Sequence, residues 1–231
     1  MDKVQATDAQ STDTTDTHRR QLLGLLSVAA GAGAIGLTSQ DAPAASGDFP
    51  IPRRALTGRD DAGKSVFKSF DLTSKIVPLD SRPGAAYYEM YATDGIPSVT
   101  GQEPDPMPTH EGFFPAPGAT FFLMVQFAPR PPEGTKPDPH AFENYLEEIS
   151  QKFPGMEKHF ERDNPGMHTT DSVDYGIVVR GEMILELDDG KTVHLRQGDC
   201  VVQNGTRHRW RNPLPEPALM AFVLIGAKTR E

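Results

Sequence analysis

Apolar and polar positions alternate with a period of two in much of the chain, and this pattern predicts β-strands. Short runs that either alternate in this way or, as at 119–128, are almost continuously apolar like a buried strand lie at 65–70, 85–92, 119–128, 173–179, 182–187, 192–196, 200–203 and 218–225. The runs after residue 167 follow each other closely, with turn signals such as Asp188-Asp189-Gly190 between them. Short, evenly spaced strands joined by tight turns are typical of an antiparallel barrel or jelly roll.

One segment has a helical period instead. Asp138 is a candidate N-cap, Pro139 suits the first helical position, and Pro154-Gly155 is a stop signal. The spacing predicts a helix over 139–152 with one apolar face, formed by Phe142, Tyr145, Leu146 and Ile149.

The first 44 residues have the order of a targeting segment. Arg19-Arg20 precede an apolar stretch at 22–37, and Ala42-Pro43-Ala44 offers a small-residue cleavage site. The apolar stretch is shorter than the ~20 residues that span a bilayer. This order resembles a bacterial twin-arginine signal and predicts a periplasmic or secreted protein with no stable membrane insertion after processing. The alternatives are an uncleaved membrane anchor and a disordered tail.

Composition and net charge limit the kinds of partner and covalent link that we expect for this protein. The chain has 23 basic and 32 acidic residues and a formal net charge of −9, which argues against a basic groove for nucleic acid. A single cysteine, Cys200, excludes an intramolecular disulfide. Because Cys200 stands in the apolar run Cys200-Val201-Val202, we expect it to be a small buried hydrophobe.

Two segments carry the candidate chemistry. The first, residues 166–182, resembles the first cupin motif, with His168, Thr170, Asp174 and Gly181 at its four marked positions. The second, residues 198–212, resembles the second motif and keeps its leading glycine, its Gly-x-x-His core at 205–208 and its final asparagine. Together they are similar to small bacterial cupins and to cupin-domain proteins labelled oxidoreductases in fungal polyketide clusters.

The resemblance implies a mainly β fold, a cupin (double-stranded β-helix or jelly-roll barrel), with an N-terminal β extension and one or two helices. It divides the chain into a signal at 1–44, an extension at 45–163 that completes or flanks the barrel, and a cupin core at 164–231. It also implies a homodimer formed through edge strands.

The motif residues favour a metal site. His168, Thr170 and Asp174 share parity, so all three side chains point into the barrel, and His208 comes from a separate strand or turn. Two imidazoles and a carboxylate suit one divalent metal ion: Fe, Zn, Mn or Ni. The chain departs from the family pattern, because Thr170 replaces a histidine and Asp174 replaces the longer glutamate. The alternative is a metal-free barrel in which His168 and Asp174 form a hydrogen-bonded pair.

Other residues are candidates for the pocket and for proton transfer. Asp174 and Tyr175 are the catalytic candidates, but Tyr175 has the opposite parity, which favours packing outside the barrel over a role as the acid. The predicted pocket, which would suit an aromatic or polyketide-like ligand, consists of Thr170, Trp210, Met220, Phe222 and Leu224.

Three functions follow from these residues. The favoured one is a metal-dependent enzyme acting on a small organic substrate, with oxidoreductase or oxygenase chemistry ahead of lyase, isomerase or dehydratase chemistry. The second is a non-catalytic cupin that binds a small molecule. The third is a storage or structural barrel. The fold alone does not choose among them.

Overall fold

The computed structural model of the protein describes residues 50–136 and 138–228. The predicted signal at 1–44 lies outside the described residues. Within them no helix is long and apolar enough to cross a membrane. The strands are β1 (Arg53–Arg59), β2 (Ser65–Leu72), β3 (Lys75–Pro78), β4 (Ala86–Thr93), β5 (Thr120–Phe127), β6 (Ser172–Arg180), β7 (Glu182–Glu186), β8 (Thr192–Arg196), β9 (Cys200–Asn204), β10 (Arg209–Arg211) and β11 (Ala218–Gly226).

A six-stranded antiparallel sheet organises the chain, in the order β3-β4-β5-β11-β6-β9. The last strand, β11, lies between β5 and β6, so the segment before residue 164 supplies half of the same sheet. β5 and β11 are nearly continuous apolar runs, as expected for central strands. The extension therefore completes the sheet that carries the C-terminal motifs.

A small sheet and a helix pack against the concave face of this sheet. The small sheet β10-β7-β8 packs Met183, Leu185 and Leu195 onto Met220 and Val178. The helix α1 (Ala141–Lys152) covers the β4–β5 half with Tyr145, Leu146 and Ile149, the apolar face that the helical spacing predicts. The site described below lies on the concave face. The hairpin β1-β2 forms a separate two-stranded sheet.

The helix begins two residues later than its sequence pattern suggests. Its N-cap residue is His140, and no side chain caps the first turn. Asp138 accepts a hydrogen bond from the backbone N–H of His140 (2.9 Å), and its carbonyl accepts one from Ala141 N–H (3.1 Å). Asp138 and Pro139 are therefore part of a tight turn that precedes the helix.

Some local expectations were wrong or incomplete. The thiol-bearing residue Cys200 is exposed, because it lies on β9 at the edge of the sheet, with its side chain on the convex face. The short strands β3 and β10 have too few residues to show a period, and β1 lies in a segment that reads only as extended chain and turn.

Glu148 joins α1 to the turn after β3, and it makes a testable contribution to stability. Its carboxylate accepts hydrogen bonds from the backbone N–H groups of Asp80 (2.7 Å) and Ser81 (2.8 Å) and from Lys152 Nζ (2.6 Å). Burial alone would raise the pKa of Glu148, but the bonds from Lys152 and Ser81 outweigh it and lower the pKa from 4.5 to about 2.

We expect Glu148→Gln to lower the free energy of unfolding by about 1–3 kcal/mol at pH 7. A depressed carboxyl pKa stabilises the folded state above the unfolded pKa, and that stabilisation is lost as pH falls. The difference between wild type and variant should therefore shrink from pH 5 toward pH 3 in urea titrations. A difference that stays constant over this range would contradict the ionic role.

Candidate functional site

His168 and His208 form the centre of the site. They face each other in an isolated antiparallel bridge, in which the backbone N–H of each residue donates to the carbonyl of the other at 2.9 Å. Their ring centroids are 4.1 Å apart, with 48° between the ring planes. His208 is almost fully buried and His168 is mostly buried. The two motifs are therefore joined at the residues predicted to carry the chemistry.

Backbone carbonyls orient both imidazoles. His168 Nδ1 lies 3.0 Å from the carbonyl oxygen of Gly166, and His208 Nδ1 lies 2.8 Å from that of Thr206. Because a carbonyl oxygen only accepts, each Nδ1 carries the proton and each Nε2 keeps its lone pair. This arrangement resembles the outer-shell bond that orients metal-binding histidines.

Both rings are held neutral. Burial, followed by the neighbouring His208 ring, lowers the pKa of His168 to about 3. Burial also lowers the pKa of His208, and the bond to the Thr206 carbonyl opposes this shift. A base with so low a pKa removes protons poorly at neutral pH. The pair is better suited to donate lone pairs than to take up protons.

Asp174 lies on the same concave face but outside the histidine pair. It is 7% exposed, and its Oδ2 accepts a long hydrogen bond from Thr170 Oγ1 at 3.4 Å. Its Oδ1 is buried and has no hydrogen-bond partner among the described residues. Burial raises the pKa of Asp174. No group of three His, Cys, Asp or Glu side chains that could hold a metal ion occurs within 50–136 and 138–228.

Aromatic rings surround the histidines. Trp210 meets His208 edge-on (5.9 Å between centroids) and Phe222 in the same manner (5.8 Å). Phe160 lies against His168 with its centroid at 4.7 Å. Of the other predicted pocket residues, Met220 and Leu224 are buried on the same face of β11 as Phe222. Of these five residues, Phe160 is the one that the sequence did not predict, because its segment carries no motif.

The structure does not bring Tyr175 to this site. It points to the convex face and is 52% exposed, as its parity with respect to Asp174 implies. Residues that the motifs did not single out are Ser172 and Gln203, both buried beside Asp174. Their positions could have been found from parity, because Ser172 is two residues from Asp174 on one strand.

The sequence pattern also did not indicate a second buried carboxylate, that of Glu89. It is 3% exposed on β4, on the face that carries Tyr87, and its nearest cation is Lys75 Nζ at 3.5 Å. Burial raises the pKa of Glu89, and Lys75 opposes the rise. A strand that reads as apolar gives no sign that its one charged residue faces inward.

A family comparison places a known domain in the C-terminal part of the chain. The family model of the cupin domain (Cupin_2) matches residues 160–225, which contain both histidines. Among solved structures, an RmlC-like cupin from Shewanella frigidimarina NCIMB 400 is 10% identical, with a TM-score of 0.34, over 67% of this chain and 85% of that one. The predicted fold class, mainly β with a cupin barrel, an N-terminal β extension and one or two helices, is confirmed, and the described residues contain one α-helix.

Several fungal proteins match a part of this chain that is similar in length to the cupin-domain match. Phomopsin biosynthesis cluster protein C' of Diaporthe leptostromiformis is 47% identical over 66 residues, which are 28% of this chain and 35% of that protein. Oryzines biosynthesis cluster protein J of Aspergillus oryzae is 40% identical over 65 residues, 28% of this chain and 36% of that protein. The chain thus spans about a third of the length of these relatives.

A longer match covers most of the chain. The cupin-domain-containing oxidoreductase fogC of Aspergillus ruber is 27% identical over 175 residues, 74% of this chain and 71% of that protein. The alignment is therefore too long to lie within the C-terminal motifs alone and includes upstream sequence.

Proposed function

We propose that this cupin-domain chain is an enzyme that transforms a small organic molecule inside its barrel, with oxidoreductase as the favoured reaction class. We further propose that it uses one divalent metal ion held by His168 and His208. The reaction class is supported by the names of the fungal relatives, of which the oxidoreductase fogC matches most of the chain. The substrate class is supported by the aromatic rings around the histidines.

One observation carries the proposal: both histidines donate Nδ1–H to a backbone carbonyl, so two neutral Nε2 atoms are left with free lone pairs. A lone pair on a mostly buried ring is stabilised when a cation or a hydrogen-bond donor contacts it, and the centroids of the two rings lie only 4.1 Å apart. A divalent metal of the imidazole-preferring kind meets this demand.

Of the three metal ligands predicted from the sequence, the two histidines fit such a metal. Asp174 does not join the histidines in a three-residue group, so the remaining coordination positions belong to water or substrate. A metal with open positions would supply binding and polarisation of a substrate oxygen, or of O₂.

The residues of the chain have separate tasks around this centre. The carbonyls of Gly166 and Thr206 fix the direction of the two imidazoles. Trp210, Phe222 and Phe160 exclude water from them and offer flat apolar surfaces. Asp174, whose pKa is raised by burial, is the group available to hold a proton at its Oδ1 atom.

A specific observation also favours a second candidate, a non-catalytic cupin that binds a small molecule. Thr170 replaces a histidine of the family pattern and bonds to Asp174, so two of the usual metal ligands are diverted from the centre. A barrel of this kind would keep its apolar chamber and lose the metal.

Elemental analysis of the purified full-length chain separates the two candidates. We expect close to one divalent metal ion per chain, and the element selects the reaction class: iron indicates oxygen chemistry, and zinc indicates lyase or isomerase work. A chain that stays metal-free after incubation with Fe(II), Zn(II), Mn(II) and Ni(II) would contradict the enzyme proposal and leave the binding barrel.

A further inference from the structure

Two buried side-chain oxygens on β6 lack hydrogen-bond partners. Asp174 Oδ1 and Ser172 Oγ are closed off from solvent, and neither has a partner among residues 50–136 and 138–228. Ser172 is 3% exposed and Asp174 is 7% exposed. The two residues are two positions apart on one strand, so both side chains lie on the concave face. Because unpaired buried polar atoms cost free energy, these oxygens are candidate contacts for a bound molecule.

The neighbouring side chains leave Asp174 Oδ1 unpaired. Thr170 donates its single hydroxyl hydrogen to the other oxygen, Oδ2. Gln203, which pairs with Asp174 in the register of β9, turns its amide nitrogen to the carbonyl of Thr206 at 2.9 Å. Burial raises the pKa of Asp174 and the nearby Ser172 hydroxyl opposes this rise, although the two side chains do not meet in hydrogen-bond geometry.

The chemistry of the two atoms selects the kind of group that would bind there. An ionised carboxylate only accepts hydrogen bonds, whereas a serine hydroxyl can donate one. An acceptor beside a donor matches a hydroxyl group, which donates one hydrogen bond and accepts another. An ether oxygen has no hydrogen to donate to Asp174, and a carboxylate would be repelled by Asp174. The net charge of −9 on the chain adds to that repulsion.

The surroundings of this polar pair are apolar and rich in rings. Leu224 is the β11 partner of Asp174 and is buried. The next concave position of β6 is Gly176, and a Cβ atom there would lie 3.0 Å from the Phe222 ring, so this ring covers the glycine. Trp210 meets Phe222 edge-on, with 5.8 Å between centroids. The polar pair therefore borders a surface suited to an aromatic molecule with one polar end.

We propose that Asp174 and Ser172 form the recognition subsite for one hydroxyl group of a neutral aromatic molecule. The hydroxyl donates to Asp174 Oδ1 and accepts from Ser172 Oγ, and the ring lies against Phe222. This inference rests on the proposed function for the aromatic substrate but not for the metal, because neither residue belongs to the histidine pair. It narrows the substrate class to a phenol or an aromatic alcohol and excludes aryl carboxylates and aryl ethers.

Three matched probes test the proposal on the purified full-length chain: 4-ethylphenol, its methyl ether 4-ethylanisole, and 4-ethylbenzoate. Trp210 is the one tryptophan of the chain, so its fluorescence, excited at the red edge of the indole band, reports on the ring-lined surface. We expect the dissociation constant of 4-ethylphenol to be at least about 10-fold below that of 4-ethylanisole, with 4-ethylbenzoate weakest. Equal constants for the phenol and the ether, or no binding of the phenol, would overturn the proposal.

Variants of β6 assign the preference to the two residues. Asp174→Leu removes the acceptor with little change in side-chain size and should bring the constants of the phenol and the ether together. Ser172→Ala should reduce the preference, and it serves as the second variant if circular dichroism shows that Asp174→Leu does not fold. Tyr175→Phe is the matched control, because it deletes a hydroxyl from the convex face of the same strand and should keep the preference. A full preference in folded Asp174→Leu, or in Ser172→Ala, would contradict the assignment.

Repeating the titrations after treatment with a chelator separates this subsite from the metal. A preference for the phenol that survives chelation supports the subsite, and in a chain that binds no metal it would leave only the metal part of the proposed function contradicted. A preference that disappears with the metal would assign the hydroxyl to the histidine centre and overturn the subsite.

Discussion

Replacing His208 by alanine is expected to reduce the bound metal from close to one equivalent per chain to less than about one tenth. A two-histidine site loses half of its protein ligands with this change, and the remaining His168 lone pair does not retain a divalent ion against buffer. The measurement is metal content by mass spectrometry after gel filtration. His208 is also buried, so circular dichroism must show that the variant is folded.

Two control variants test whether the loss of metal is specific to the histidine pair. His194→Ala removes a histidine that is about half exposed on β8 and pairs with Glu182 at 2.7 Å. It should leave metal content unchanged. Asp174→Asn should also retain most of the metal, because the carboxylate stands apart from the histidine pair. A complete loss of metal in Asp174→Asn would restore the two-histidine, one-carboxylate set predicted from the motifs.

Replacing Gly226 by alanine is expected to destabilise the fold by about 3 kcal/mol or more. A Cβ atom at this position would overlap the backbone carbonyl oxygens of Ala116 and Pro115, which have no side-chain freedom with which to move away. Two backbone hydrogen bonds keep this loop close to Gly226. Gly118 N–H donates to Gly226 O (2.9 Å), and Gly226 N–H donates to Ala119 O (3.0 Å).

Gly176→Ala is the comparison for this effect. Its Cβ would meet the edge of the Phe222 ring at 3.0 Å and the Met220 methyl at 3.5 Å, both ends of mobile side chains. We expect a cost of about 1 kcal/mol or less. Urea unfolding at pH 7 measures both variants. Equal costs would show that the loop at 115–119 adjusts to the added methyl group, contrary to the argument from its backbone contacts.

Much of the architecture could be predicted from the sequence because a long element leaves a visible pattern. β6 alternates with a period of two, β5 and β11 are nearly continuous apolar runs, and α1 shows one apolar face at helical spacing. The three-residue strand β10 is too short to show a period. The position of Cys200 was misread because an apolar run looks the same whether it faces a core or an uncovered sheet face.

Part of the site could also be predicted from the alternation of side chains along a strand. Parity correctly separates Asp174 from Tyr175, since it depends only on the alternation within one strand. Parity does not measure distance between strands, so it could not tell whether Asp174 reaches the two histidines. Phe160 and Glu89 were missed because each contacts a residue of another element, His168 and Lys75 respectively, and the pattern within one segment does not record such contacts.

The position of β11 has a consequence for synthesis. The last strand of the chain lies in the middle of the large sheet, so β5 and β6 cannot be joined until Ala218–Gly226 has left the ribosome. Long-range pairing of this kind is slow, and it leaves apolar strand edges open while translation continues. A nascent chain should therefore depend on chaperones until this strand has emerged, and a truncation within Ala218–Gly226 should leave a product that is degraded.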